Sequence, residues 1–423
     1  MSSKETKQRI YVFADWREIG KPTLMGILIS ERLKGKEIFS FEYDDDWLKS
    51  KYAMQLDPDL ELYSGKHYLN DEKPNFGLFL DSSPDRWGQV LMRRREALMA
   101  RLEKRKEVSL FQTDYLLGVY DGQRMGALRF KTDLEGNFLN DNNLRATPPW
   151  TSIRELEQIS LKIEEKDSVN DPAYEKWLGM LIAPGSSLGG ARPKASVLDE
   201  NGNLWIAKFP SRNDQSDMGA WEKVTYDLAI ASGINMARSQ AQKYSSKHHT
   251  FLTKRFDRTE KGERIHFASA MTMLGYSDGE NYQQGISYLE LVEFITNNGS
   301  NVKEDLEELF RRIVFSICVS NTDDHLRNHG FILTDRGWSL SPAYDINPNE
   351  SGKGLSLNIS ENDNSLDLDL PLHVCEYFRL TEKQALKTIE TIKGVVSTWK
   401  NNAKKYGISN TEQELMARAF TNF

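Results

Sequence analysis

Ser320-Asn321-Thr322-Asp323-Asp324-His325-Leu326-Arg327-Asn328-His329-Gly330 is the most informative stretch of this 423-residue chain. It follows a segment, 302–320, in which Leu306, Leu309, Phe310, Ile313, Val314 and Ile317 recur at helical spacing on one face. A short strand-like run, Phe331-Ile332-Leu333, comes after it. An Asp with an Asn five residues later, in a loop braced by a buried helix, matches what phosphoryl transfer asks for. Asp323 would orient an acceptor hydroxyl and take its proton, and the amide oxygen of Asn328 would bind a magnesium ion. A turn at Asp335-Arg336-Gly337 then returns the chain through Trp338-Ser339-Leu340-Ser341 to Tyr344-Asp345. Asp345 suits a second magnesium position, because Mg²⁺ prefers carboxylate and phosphate oxygens. Turn chemistry alone also favours Asp and Asn here; the order of the surrounding segments decides for the catalytic reading. His325 and His329 stand four apart, but a loop does not face them together and no third nitrogen or sulfur ligand is near. A hydrogen bond within the loop is expected for His325.

Working upstream, Gly185-Ser186-Ser187-Leu188-Gly189-Gly190-Ala191-Arg192-Pro193-Lys194 lets a backbone turn tightly and aim several N–H groups at an anion. Arg192 and Lys194 add positive charge. The segment lacks the Gly-Lys-Ser/Thr ending of a Walker A loop, and taken alone such a segment is more often a structural turn. One hairpin later, Lys208 ends the apolar run Leu204-Trp205-Ile206-Ala207. A lysine leaving a buried strand either holds phosphates or snorkels to solvent; its nearest carboxylate candidate is Glu222, early in the next helix.

The wider pattern is strand-rich at first and helical later. Gly26-Ile27-Leu28-Ile29 and Ile38-Phe39-Ser40-Phe41 predict a hairpin around Lys34-Gly35. Asn75 through Leu80 reads as a buried strand, with Ser83 capping and Pro84 opening a charged helix that runs to about Lys106. Residues 115–130 read as strands around an Asp121-Gly122 turn, 137–149 as a loop or linker, 152–165 as a helix, and 220–232 as a helix closed by Gly233. The simplest architecture is a β-rich first half and a helical second half with a cleft between them.

Composition agrees with a globular protein: 39 % of residues are hydrophobic and 28 % charged. No apolar run approaches the roughly 18 residues that cross a bilayer, and the start lacks a signal-peptide core. Two cysteines, Cys318 and Cys375, suit a reducing cytoplasm. A formal net charge of -7 argues against a protein that coats nucleic acid by itself. The basic runs Arg93-Arg94-Arg95 and 101–106 read as a solvated helix face, with a partner or DNA patch as the alternative.

In this order, Ser82-Ser83-Pro84-Asp85-Arg86-Trp87-Gly88, the segment 187–194, Ile206-Ala207-Lys208, Lys254-Arg255-Phe256-Asp257-Arg258, the segment 321–328 and Pro342-Ala343-Tyr344-Asp345 resemble the HipA-like serine/threonine kinases, toxins of bacterial toxin–antitoxin modules. The resemblance runs from about residue 10 to about residue 400. It implies a two-lobed, protein-kinase-like α+β fold. The N-terminal half would be 1–258, with a β-rich subdomain over 1–130 and an ATP-binding lobe over 150–258; the helical lobe with the catalytic loop would be 259–423.

ATP and Mg²⁺ are the cofactors it implies. Asp323 becomes the catalytic residue, and Asn328 and Asp345 the metal ligands. Nucleotide contacts fall on Lys208, Ser187, Leu188, Gly189, Gly190, Ala191, Lys194, Phe256 (beside the adenine) and His325, with Glu222 supporting Lys208. Ser187 corresponds to a phosphate-loop serine that can be autophosphorylated, with Ser186 as its neighbouring candidate; phosphate there would repel ATP phosphates. The implied partners are a protein substrate, with an aminoacyl-tRNA synthetase as a target class, and a helix-turn-helix HipB-like antitoxin. DNA would be met only through that antitoxin, and a membrane not at all. Two alternatives share the same phosphate machinery: a small-molecule or lipid kinase, and a nucleotide-binding partner of a repressor complex without turnover.

Overall fold

A computed structural model describes residues 6–33, 35–69, 73–140, 148–182, 190 and 192–422. Strands concentrate in the first half and helices dominate the second, as the sequence pattern predicts. The residues form two compact units, Met1–Arg212 with Asp257–Ala268, and Asn213–Phe256 with Ser269–Phe423.

The first unit opens on an antiparallel sheet built from β1 (Thr6–Ala14), β2 (Thr23–Leu33), β3 (Lys36–Tyr43), β4 (Lys66–Tyr68) and β5 (Leu128–Lys131), in the order β4-β3-β2-β1-β5. The expected hairpin is present, with Leu28 opposite Phe41 and Gly35 at a left-handed φ of 82° in its turn. A one-turn helix α1 (Asp45–Leu48) follows β3. Two expected strands are helices instead. Residues 77–80 lie in α2 (Gly77–Asp81), just after Asn75 and Phe76, and Asp57 Oδ2 accepts the Leu78 amide there at 2.8 Å. A short apolar run cannot be told from a buried helix by periodicity, and the deciding cap comes from a residue far earlier in the chain. Phe79 then packs among Phe41, Phe76 and Phe130. Residues 115–118 lie in α4 (Gln112–Gly118), which Asp114 opens by accepting the Phe111 amide at 2.8 Å; only β5 is strand in that region.

Between these lies α3 (Arg86–Leu102), capped by Asp85, whose Oδ1 accepts the Gly88 amide at 2.8 Å. Ser83 and Pro84 therefore precede the cap rather than forming it, and Ser83 Oγ donates back to the Phe79 carbonyl of α2. The basic runs are stitched into the unit. Arg93 reaches the Tyr115 hydroxyl, Arg94 the carbonyl of Ile163 at the end of α5 (Ile153–Ile163), and Arg101 the carbonyl of Val169. Helix α6 (Tyr174–Ile182) packs on α3 and α5. The hairpin of β6 (Lys194–Leu198) and β7 (Leu204–Lys208) places Lys194 directly opposite Lys208.

In the second unit, α7 (Met218–Ala231) is capped by Asp217, which also accepts the His249 backbone amide. His249 Nδ1 lies 2.6 Å from the same carboxylate, so this histidine has a structural task. Gly233, at φ 78°, closes α7 as predicted. The antiparallel pair β8 (Ser239–Gln242) and β9 (Thr250–Lys254) follows. After β10 (Phe267–Ser269) come α8 (Ala270–Met273), α9 (Tyr288–Asn298) and α10 (Val302–Cys318). The six apolar residues of the α10 face are fully buried; at about 1.5–3 kcal/mol each, they make α10 the spine of the unit. The hairpin β11 (Gly330–Thr334) and β12 (Gly337–Leu340) precedes α11 (Asp369–His373), α12 (Glu382–Val396), α13 (Trp399–Lys405) and α14 (Asn410–Met416). Among the described residues no helix is long and apolar enough to cross a membrane.

Candidate active site

Helix α10 ends at Cys318, and Ser320 turns the chain out with a left-handed φ of 51°. That conformation costs a non-glycine residue about 1 kcal/mol or more. The Ser320 hydroxyl, donating to the Ala419 carbonyl at 2.9 Å, helps hold it. Asn321 then works in two directions. Its amide nitrogen donates to Ser316 Oγ on α10, and its Oδ1 accepts the backbone N–H of Asn347 at 3.1 Å. Asn347 in turn donates from Nδ2 to Asp345 Oδ1 at 3.0 Å. Asp345 itself sits at φ 57°, a conformation Asp tolerates better than most residues. Thr322 is held by Asn349 and Ser356, and Gly352 packs so closely on it that a Cβ would lie 2.3 Å from the Thr322 methyl.

Asp323 is exposed, and its carbonyl accepts the His325 amide at 2.9 Å and the Asn328 side-chain amide at 2.8 Å. Using Nδ2 in this way leaves Asn328 Oδ1 as the acceptor end. His325 is half-buried and opens a one-turn 3-10 helix, Leu326–Asn328, with its backbone N–H committed to Asp323. Tyr344 donates its hydroxyl to the Arg327 carbonyl at 2.8 Å and packs on Phe256 with ring centroids 5.6 Å apart. Asp323, Asn328, Asp345, His325 and Phe256 are thus linked within the second unit by one set of short contacts.

Several members of this set escaped the sequence reading. Asp324 is 4 % exposed; its Oδ2 accepts the Tyr288 hydroxyl at 2.6 Å and its Oδ1 lies 3.0 Å from His329 Nε2. Burial alone would raise the Asp324 carboxyl, but the His329 imidazole, with the Tyr288 hydroxyl, holds it below the ordinary carboxylate value. Burial pushes the Tyr288 hydroxyl well up, and the Asp324 carboxylate adds to this. The Asp-Asp doublet was a visible signal for Asp324. Asn321 stood at the start of the motif segment 321–328, whereas nothing local to Tyr288 or Asn347 marked them.

The remaining expected residues lie elsewhere. Glu222 is buried on α7, in the second unit, and Lys208 is half-buried at the end of β7, in the first. Lys194 is 2 % exposed, and its ammonium is committed to Asp85 Oδ2 at 2.9 Å and the Gly190 carbonyl at 3.0 Å. Like charges opposite each other weaken a hairpin, so Asp85 neutralises the lysine that faces Lys208. Ser186, Ser187, Leu188, Gly189 and Ala191 lie outside the described residues. In the Arg255-Phe256-Asp257-Arg258 motif, Phe256 joins Tyr344, whereas Asp257 accepts the Gly126 amide and Arg258 donates to the Arg124 carbonyl. A surface groove lined by Glu307, Arg311, Lys387 and Thr391 shares none of the expected site residues.

A family model described as the HipA-like C-terminal domain matches residues 186–399. Among named relatives, a kinase of Haemophilus influenzae is 25 % identical over 183 residues, covering 38 % of this chain and 52 % of the relative. The serine/threonine-protein kinase toxin HipA of Shewanella oneidensis is 22 % identical over 228 residues, covering 47 % of this chain and 52 % of the relative. The chain thus spans about half the length of these relatives. A solved complex of HipA, HipB and operator DNA from the Shewanella oneidensis toxin–antitoxin system contains a similar fold, with a TM-score of 0.64 at 19 % identity, over 98 % of this chain and 95 % of that one. The family match covers more than half of the sequence, and on that ground the chain belongs to the family of proteins with a HipA-like C-terminal domain.

Proposed function

We propose that the chain is an ATP- and magnesium-dependent protein serine/threonine kinase, the growth-arresting toxin of a toxin–antitoxin module. One observation carries the reading. Exposed Asp323 is fastened through its own carbonyl to Asn328, while Asn321 and Asn347 tie the same loop to Asp345. That set supplies a base and two cation ligands on one rigid support, which is what phosphoryl transfer needs.

In this reading Asp323 accepts the proton of the acceptor hydroxyl as its oxygen bonds to the γ-phosphorus and ADP leaves. Lys208 and the Gly-rich segment 185–194 hold the nucleotide phosphates, Glu222 orients Lys208, and Phe256 borders the adenine. His325 contacts the nucleotide from the loop. The donor set suits magnesium: Asp345 brings a carboxylate and Asn328 an amide oxygen, and phosphate oxygens complete such sites. When bound, magnesium neutralises charge on the phosphates.

Regulation would come from autophosphorylation of Ser187, or of Ser186 beside it, and from a HipB-like helix-turn-helix antitoxin that carries the chain to DNA. The net charge of -7 supports that indirect route. An aminoacyl-tRNA synthetase is the proposed target class.

Labelled ATP and magnesium, given to the full chain and to Asp323→Asn, test the reading. Label is expected in protein, at Ser187 by phosphosite mass spectrometry, and Asp323→Asn should lower transfer by about 10²–10⁴-fold. Label confined to small products points instead to a small-molecule or lipid kinase. Equal labelling and toxicity in both proteins would leave only a nucleotide-binding partner.

A further inference from the structure

We propose that Asp324, the buried second carboxylate of the Asp-Asp doublet, is a positioning residue that holds Asp323 and Asn328 in place for the phosphoryl transfer proposed above. The loop is closed by two clasps, one residue apart. In the first, the Asn328 side chain donates to the Asp323 carbonyl at 2.8 Å. In the second, Asp324 Oδ1 meets His329 Nε2 at 3.0 Å. The two clasps join consecutive pairs, 323 with 328 and 324 with 329. Asp323 is exposed while Asp324 and His329 are buried, so one clasp carries the chemistry and the other fixes it to the core.

The inner clasp is built from three elements. Tyr288, the first residue of α9, donates its hydroxyl to Asp324 Oδ2 at 2.6 Å, and its ring meets that of His329 edge-on at 5.7 Å and 87°. Ser316 on α10 adds a longer contact of 3.4 Å to the same oxygen. Ser287 caps α9 and donates its hydroxyl to the carbonyl of Ser360 at 2.7 Å, so Tyr288 itself has a fixed starting point. A buried carboxylate is tolerated only when its lone pairs are occupied. Here every donor comes from a residue that also borders the loop or its supporting helices, so the anion is a node through which α9 and α10 set the loop geometry. A bulky apolar residue at 324 would fill the space but could not engage Tyr288 and His329 together.

The test uses the full chain with Asp324→Asn and Tyr288→Phe beside wild type, followed by kinetics and by amide hydrogen exchange. Asp324→Asn should lower kcat about 10–100-fold, the range for outer partners of catalytic and metal-binding groups, with the KM for ATP within about threefold of wild type. Exchange of amides 322–329 should rise about tenfold while α9 and α10 keep their protection. Tyr288→Phe, which introduces no new polar group, should move both readouts in the same direction by less. A kcat for Asp324→Asn within about threefold of wild type would overturn the proposal, as would faster exchange spread through α9 and α10. If wild type transfers no phosphate, the kinase reading fails by itself. The exchange arm still decides the clasp: acceleration confined to 322–329 supports it, and unchanged exchange overturns it.

Discussion

Asp85, in the first unit, meets the Lys194 ammonium at 2.9 Å; Asp324, in the second, meets a phenol at 2.6 Å and an imidazole at 3.0 Å. Both carboxylates are buried; Asp324 stands beside Asp323, whereas Asp85 pairs with a lysine of the Gly-rich segment. The Asp85 pair fixes the carbonyl of Gly190, at the end of the Gly-rich segment, to the first turn of α3. The Asp324 cluster fixes the loop of Asp323 and Asn328 to α9 and α10. Each buried carboxylate is therefore an anchor for its segment. The two anchors differ in what remains when the acid is removed: a single ammonium at Lys194, but a phenol, a hydroxyl and an imidazole around position 324.

The largest consequence falls on stability at Asp85. Asp85→Asn leaves a buried ammonium without its counter-charge, which costs about 3–5 kcal/mol, whereas replacing both partners with apolar residues of similar volume is often close to neutral. Urea unfolding of the full chain should therefore rank Asp85→Asn well below the double variant Asp85→Leu with Lys194→Met. Equal losses in the two would show that the pair is not the anchor.

Asp324→Asn should rank next, losing about 1–2 kcal/mol in the same unfolding experiment, because the asparagine oxygen still accepts one of the two donors. The order of the two variants should then reverse in kcat, with Asp324→Asn hurting transfer more than its stability loss explains. A stability loss as large as that of Asp85→Asn would erase the distinction between an ion-paired and a hydrogen-bonded anchor.

Sequence reading reached the 320–330 loop, its apolar helix and the two hairpins that follow the Gly-rich segment and the loop, because each is written in contiguous periodicity or turn chemistry. It failed where a distant residue decides the outcome. Residues 76–80 are apolar enough for a strand, and the cap from Asp57 makes them α2. Ser83 has the chemistry of a cap, but Asp85 takes that role while also holding Lys194. Lys194 meets Asp85, 109 residues earlier, a pairing that nothing beside it in the sequence announces. Tyr288 and Asn347 gain their roles only when α9 and the segment after β12 come to the loop. Long-range pairing of this kind leaves no periodic trace in one sequence.

Asp57 supplies the limiting case of a buried carboxylate whose Oδ2 and Oδ1 accept the backbone amides of Leu78 and Asp59. Burial raises its pKa from 3.8 to about 6, against the lowering effect of those two amides and a weaker one from Lys73, with Asp59 adding to the rise. Between those values the folded chain keeps a proton that the unfolded chain has released. Stability therefore falls as pH rises from about 4 to about 6 and levels off above, the opposite of a salt-bridged acid. Asp57→Asn cannot titrate, so the stability of wild type relative to this variant should decline by about 1–2 kcal/mol across that window. Melting curves of both proteins at several pH values read the difference directly, and other carboxylates cancel in it. A difference that stays constant from pH 4.5 to 7.5 would mean that the two backbone amides satisfy the ionised form fully.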